Sequence, residues 1–323
     1  MTNRRNFLVM MAALAAAHDA RAQSPSATTR IGWITYSVPG TALEAFQEGM
    51  RALGYVGARA VAVEVRVVEP NPERMRATIE ELQAMNAQLT VCQAGAAPAA
   101  HRVNSRRIPV VFAYSGDPVV AGMVDSFARP GGNTTGLSFL SLELVGKRLE
   151  VMRELSPTLR RVAILANPQH PGEKAELNAS LEAANRLGMQ TTYLQWPPGE
   201  SADAVFERMR RERVQGIVVF PDNSMVARGA QIAEFALRER LLAVSGWALF
   251  AHAGFVASYG PNLKDAYRRL ASFVDRLLKG APAATLPVEL PSRFELVVNL
   301  KTVRALGIQN PQSLVLRADE VIE

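Results

Sequence analysis

Residues 110–137 read VVFAYSGDPVVAGMVDSFARPGGNTTGL. The apolar, β-branched run 110–113 has the length and composition of a buried strand. It ends at Tyr114-Ser115-Gly116-Asp117, and Asp117-Pro118 pairs a helix N-cap with proline at the first helical position. A helix is expected over 119–127. Pro130-Gly131-Gly132 then turns the chain toward a short strand at about 136–140. Strand, helix, turn, strand is the unit of an open parallel α/β sheet. Ligands of such sheets bind just beyond the carboxyl ends of the strands. Tyr114 and Asp117 are therefore candidate contacts, with Asp117 either capping alone or capping and touching a ligand.

The same alternation runs outward in both directions. Toward the N-terminus come strands at 30–34, 61–67 and 89–92. Helices fall at 41–53, from Asn71-Pro72 onward, and at 98–104. After residue 140 the order repeats: strand 162–165, helix 174–187, strand 190–194, helix 202–211, strand 216–220, helix 225–238, strand 242–244. The punctuation matches too, because Leu53-Gly54 and Leu187-Gly188 each stop a helix. Two such runs in tandem predict two doubly wound lobes with parallel sheets. The tail (a strand and long helix over 255–278, strand 294–299, helix 301–306) is too small for a core of its own. It must complete sheets already built, so the chain crosses between lobes near 137–142, 253–258 and 287–291. This assigns 29–138 and 256–288 to the first lobe, and 139–255 and 289–323 to the second.

The N-terminus reads as a leader. Asn3-Arg4-Arg5-Asn6-Phe7-Leu8 is followed by an Ala-rich apolar run and by Ala20-Arg21-Ala22, a small-x-small cleavage pattern. Residues 1–22 are expected to be a signal peptide, and the paired arginines suggest the twin-arginine type. The processed chain would lie in the periplasm, with no membrane insertion. The net charge is +6. Arginines interleave with acids on predicted helix faces, a pattern that excludes the clustered basic stripe of a nucleic-acid binder. The one cysteine, Cys92, lies in an apolar strand and is expected to be a buried, inert thiol.

The strand ends carry small polar groups with an occasional aromatic, a composition suited to fixing a small molecule. In the first lobe these are Tyr36-Ser37, Gln93-Ala94-Gly95-Ala96 and Tyr114 to Asp117; in the second, Asn167, Asp222 and Trp247, with Tyr259 after the returning strand. Gly95 and Ala96 open a helix whose free amides would suit a carboxylate. Asp117 and Asp222 could receive an ammonium group. Tyr36, Tyr114, Trp247 and Tyr259 could stack on an apolar side chain. Bland readings stand beside these: Asp222 as a cap, Asn167 as a turn, Trp247 as core, Tyr259 as part of the hinge. The set suits an amino acid or similar small acid. No catalytic, metal or cofactor site is read. His101, His170 and His252 are isolated and lack metal-ligand spacing. The loop Pro130 to Gly136 follows a helix and precedes a strand, the reverse of a phosphate loop.

Five long stretches carry a resemblance: FAYSGDPVVAGMVDSFARPGGNTTGLSFL (112–140), ELVGKRLEVMREL (143–155), SYGPNLKDAYRR (258–269), PVELPSRFELVVNLKTVRALGI (287–308) and PQSLVLRADEVIE (311–323). Together they resemble the ABC-transporter substrate-binding proteins of the tryptophan/tyrosine type, in the same order along the chain. The resemblance implies a type I periplasmic-binding fold, with two Rossmann-like lobes, a three-stranded hinge and a ligand in the cleft. It implies no catalytic residues. It also implies a monomer that captures a small molecule by hinge closure and delivers it to an inner-membrane ABC permease. A ligand-sensing domain feeding a membrane receptor, or a hydrolase on the same fold, are the alternatives.

Overall fold

The computed structural model describes residues 29–104, 108–140, 142–170, 172–309 and 311–323; the expected leader lies outside them. Its frame is two separate sheets. The first lobe begins with β1 (Arg30–Thr35), α1 (Gly40–Ala52), β2 (Ala62–Val67), α2 (Pro72–Ala84), β3 (Thr90–Gln93), α3 (Ala96–Val103), β4 (Val110–Tyr114) and β5 (Thr134–Ser138). These strands form an all-parallel sheet in the order β2-β1-β3-β4-β5.

Period-two alternation explains how that sheet is covered. Trp33, Val91 and Val111 point to one face, where Phe46 of α1 meets them. Ile34, Cys92 and Phe112 point to the other, against Met75, Ile79 and Leu82 of α2 and Ala97 of α3. Adjacent strand residues necessarily face opposite sides, so the run of apolar residues serves two cores at once. Trp33 is fully buried, its ring 5.3 Å from that of Phe46.

The second lobe contains α4 (Val145–Leu155), β6 (Arg161–Ala166), α5 (Glu173–Arg186), β7 (Gln190–Gln195), α6 (Ala202–Arg211), β8 (Gly216–Val219), α7 (Asn223–Ala227), α8 (Gly229–Arg238), β9 (Leu242–Ser245), α9 (Ala248–His252) and β10 (Ala257–Pro261). Then follow α10 (Leu263–Leu278), β11 (Phe294–Asn299), α11 (Leu300–Ala305), α12 (Gln312–Val315) and β12 (Glu320–Ile322). The second sheet runs β12-β11-β10-β9-β8-β6-β7, parallel except where β10 meets β11. Ala163, Leu165, Ile217 and Val219 face α6 and α8, whereas Val162, Val218 and Val244 face α4 and α5.

The chain passes between the lobes three times. It leaves the first after β5 and returns after Pro261, since α10 packs Leu270 and Phe273 beside Trp33 and Phe46. It leaves again after Glu289, which bridges to Leu137. The second passage falls later than the sequence predicts: β10 pairs with β9 and β11, so 257–261 belongs to the second sheet. Backbone bonds tie the crossings together, with Ser138 N–H donating to Glu289 O at 3.0 Å and Asn262 N–H to Arg293 O at 3.0 Å.

Two sequence expectations fail locally. No helix forms over 119–127; the segment is a series of turns. Gly122 sits at φ +68°, a left-handed conformation incompatible with a continuing helix. The helix expected at 225–238 is two helices, α7 and α8, broken at Arg228.

Candidate functional site

In the first sheet the strand order reverses between β1 and β3, with β2 on one side and β4 on the other. In the second it reverses between β6 and β8. Connections on the two sides of such a switch point leave in opposite directions and open a crevice at the carboxyl ends. A cavity of about 390 Å³ lies there, within the range of small-molecule sites. The loop after β1 lines it from Ser37 to Pro39, together with the start of α1, Gln93 at the end of β3, and Phe139. The second lobe contributes Asn223 and Val226 of α7, Trp247 after β9, and Leu249 of α9. Leu263, Lys264 and Tyr267 of α10 close one side.

The lining has a definite polarity. Phe139, Trp247 and Tyr267 supply aromatic surface. Helix α1 begins at the cavity wall with Gly40, Thr41 and Ala42, and it has no side chain capping its first turn and no acid in that turn, so the partial positive charge of its amino end lies beside the cavity. Lys264 is the one charged side chain among the described lining residues. Gln93 is 7% exposed, and its Oε1 has no hydrogen-bond partner among the described residues. Burial pushes the Tyr267 hydroxyl's pKa well above its ordinary value, with the neighbouring Gln93 side chain acting in the opposite direction.

Of the residues singled out in the sequence, Ser37, Gln93 and Trp247 line this cavity. The others take different positions. Tyr36 lies half-buried against the first lobe's core, and its ring edge stands 3.2 Å from where a Gly95 Cβ would be. Ala96 is buried at the start of α3. Tyr114 is buried, edge-on to Phe112 at 6.3 Å, with its hydroxyl pushed up to about 12 by desolvation. Asp117 Oδ1 accepts from the amides of Val119 at 2.8 Å and Val120 at 3.2 Å. Asn167 Oδ1 accepts from Gln169 N–H at 3.0 Å. Asp222 caps α7 through Met225 N–H at 2.8 Å and accepts from Ser224 Oγ at 2.7 Å. Tyr259 O accepts from Arg148 Nε at 3.1 Å. The sequence reading missed the amino end of α1, along with Phe139, which directly follows β5, and Tyr267, which lies on a helix away from any strand end.

A larger cavity, about 630 Å³, lies at the crossings beside Arg269, Glu289 and Arg293. Its charges satisfy one another: Arg269 donates twice to Glu289 at 2.8 and 2.9 Å, and Arg293 to Asp265 at 2.8 Å. Among the described residues that line it, none has a buried polar side-chain atom without a partner, and the cleft between the sheets is the better site. Among the described residues, no group of three or more His, Cys, Asp or Glu could hold a metal, and no helix is long and apolar enough to cross a membrane.

The fold has close counterparts of known structure. An ABC domain from Streptococcus pneumoniae, solved in complex with L-Trp, superposes with a TM-score of 0.83 at 22% identity, covering 91% of this chain and all of that one. A conserved domain protein from Vibrio cholerae gives 0.81 at 22% identity over 92% of this chain and all of that one. A ligand-free, open substrate binding protein from Clostridium difficile gives 0.70 at 18% identity, covering 91% of this chain and 99% of that one. A tyrosine-binding protein of Clostridioides difficile is 21% identical over 206 residues, 64% of this chain. The match spans 59% of that relative's length. The family pattern for ABC transporter substrate binding proteins matches residues 39–322. The chain belongs to the family of ABC transporter substrate binding proteins.

Proposed function

We propose that this protein is the extracytoplasmic solute-binding component of an ABC importer, and that its solute is an aromatic L-amino acid. The observation that carries the reading is the cleft itself. Its walls come from both lobes, and they combine Phe139, Trp247 and Tyr267 with an uncapped helix terminus and an orphaned amide oxygen. Aromatic surface suits an aromatic side chain, and polar groups at one end suit an amino acid's charged head. The names of the relatives, one bound to L-Trp and one called tyrosine-binding, support the same class.

Function then follows from geometry. A solute touching both lobes favours the arrangement that brings them together, because its affinity differs between open and closed forms. That state is the one an inner-membrane permease would accept. The arginine-bearing leader supports export to the periplasm, where the processed chain would act. Useful scavenging needs a dissociation constant near 1 μM, about −8 kcal/mol, which a few charged hydrogen bonds and one buried ring supply. Isothermal titration of the ligand-free protein against the common amino acids tests this. Micromolar binding of L-tryptophan, L-tyrosine or L-phenylalanine is expected. No heat from any amino acid at millimolar concentration would overturn it. Mass spectrometry of the solute co-purified from the periplasm would identify the native ligand.

A further inference from the structure

We infer that Gln93 receives the α-ammonium group of the bound amino acid through Oε1, while the amino end of α1 holds its carboxylate. The inference rests on the amino-acid reading above and adds which residue reads which end of the ligand.

The buried amide comes first. Gln93 ends β3 at the switch point of the first sheet and is more than nine-tenths buried, yet it lines the cleft with an acceptor that nothing satisfies. Buried acceptors are nearly always paired, so an orphan on a side chain that lines a cavity marks where a donor belongs. The backbone fixes where the side chain starts. Ala94 holds φ +51°, and its N–H donates to Ala113 O at 2.7 Å. A non-glycine residue in that region costs free energy and persists where surrounding structure enforces it, often at functional sites.

The rest of the lining decides which donor. No carboxylate lines the cleft among the described residues, and its one charged side chain is Lys264. Uncapped α1 favours negative charge, and Lys264, whose Nζ stands 3.8 Å from Glu48 Oε1, adds positive charge beside it, which places the ligand's carboxylate on that wall. The ammonium two bonds away from that carboxylate needs an acceptor. The other lining side chains with an acceptor oxygen are Ser37, Thr41, Asn223 and the Tyr267 hydroxyl; among all of these, only Gln93 has a buried, unmatched one.

Paired ligands provide the test: L-tryptophan with 3-indolepropanoate, which lacks only the ammonium group, and L-tyrosine with 3-(4-hydroxyphenyl)propanoate. Wild-type protein should prefer each amino acid over its partner by roughly tenfold to a hundredfold, the size of a hydrogen bond to a charged group. Gln93→Met should erase that preference by weakening the amino acid and leaving the desamino acid within threefold. Gln93→Glu keeps an acceptor and should keep the preference; it also serves if the Met variant unfolds, as judged by circular dichroism. L-Tryptophanamide should bind at least tenfold more weakly than L-tryptophan to wild type and to Gln93→Met alike. Equal weakening of both members of a pair by Gln93→Met, or loss of preference in Gln93→Glu, would overturn the inference while the amino-acid reading stands. Failure of wild type to bind any of these compounds would overturn that reading itself.

Discussion

The carbonyl oxygen of Gly246 lies against the α-carbon of Gly260, so closely that a Cβ at residue 260 would overlap it. Gly246 precedes Trp247, which lines the cleft, and Gly260 lies in β10 just before the passage back to the first lobe. Two strand ends are thus packed backbone on backbone, and the aromatic wall of the site is fixed to the hinge. The guanidinium of Arg148 occupies the space where a Gly246 Cβ would stand.

Gly260→Ala should therefore push the loop 246–247 away. We expect a loss of about 2–3 kcal/mol in urea unfolding, in the upper range for single substitutions, together with weaker binding of an aromatic amino acid. Gly132→Ala is the control, since nothing lies within 4 Å of its added Cβ; it should stay within about 0.5 kcal/mol of wild type.

Arg148 and Glu176 form a buried pair, 2% and 5% exposed at the side chain, with Nη1 and Oε2 4.0 Å apart. Glu143 also faces Arg148, and His170 and Asp222 face Glu176. Burial holds the Glu176 carboxyl above its ordinary pKa, while His170 and Arg148 pull it down. Arg148→Met leaves that carboxyl without its ion-pair partner and should cost about 3–5 kcal/mol at pH 8, the usual penalty for breaking a buried pair. A carboxyl raised in the folded state contributes fully below its unfolded pKa, and its contribution is lost as pH rises through the folded value. Removing Arg148 raises the folded value further. The deficit should therefore shrink between pH 8 and pH 5. A deficit that grows on acidification would contradict this electrostatic arrangement.

Asp117 satisfies two amides of the turn that begins at Pro118 and does not border the cleft. Asp117→Ala should cost about 1 kcal/mol of stability, as for loss of a cap. Its amino-acid affinity should remain within twofold. A tenfold loss in titration would place Asp117 in the binding site.

Cys92 is fully buried, and desolvation pushes its thiol up to about 12. The thiolate is the reactive form, so at pH 8 the native protein should react with Ellman's reagent only as it unfolds. Stoichiometric labelling within minutes in native buffer would contradict that burial.

The alternation of strands and helices was legible because apolar runs such as 162–165 and 216–219 are bounded by turn residues and serve two cores. The expected helix at 119–127 has a suitable start in Asp117-Pro118, but Gly122 adopts a left-handed conformation that ends regular structure within one turn. Short elements such as α9 (five residues) and β12 (three residues) carry too little pattern to be read. For the site, strand ends were the right place to look. The turn of the chain beyond the strand then decides which residue reaches the crevice: Ser37 does, whereas its neighbour Tyr36 packs with the core. Tyr267 joins the site from a helix more than 170 residues away from Gln93 in sequence, a juxtaposition that only the fold creates.

The crystal structure of the protein grown with L-tryptophan or L-tyrosine is the most direct measurement of where the solute sits. It should show the amino acid in the cleft between Ser37 and Gln93 on one side and Asn223 and Trp247 on the other, with its ammonium within 3.2 Å of Gln93 Oε1. Ligand density in the cavity beside Arg269 and Glu289, or an empty cleft in crystals of protein that binds the amino acid in solution, would contradict the assignment.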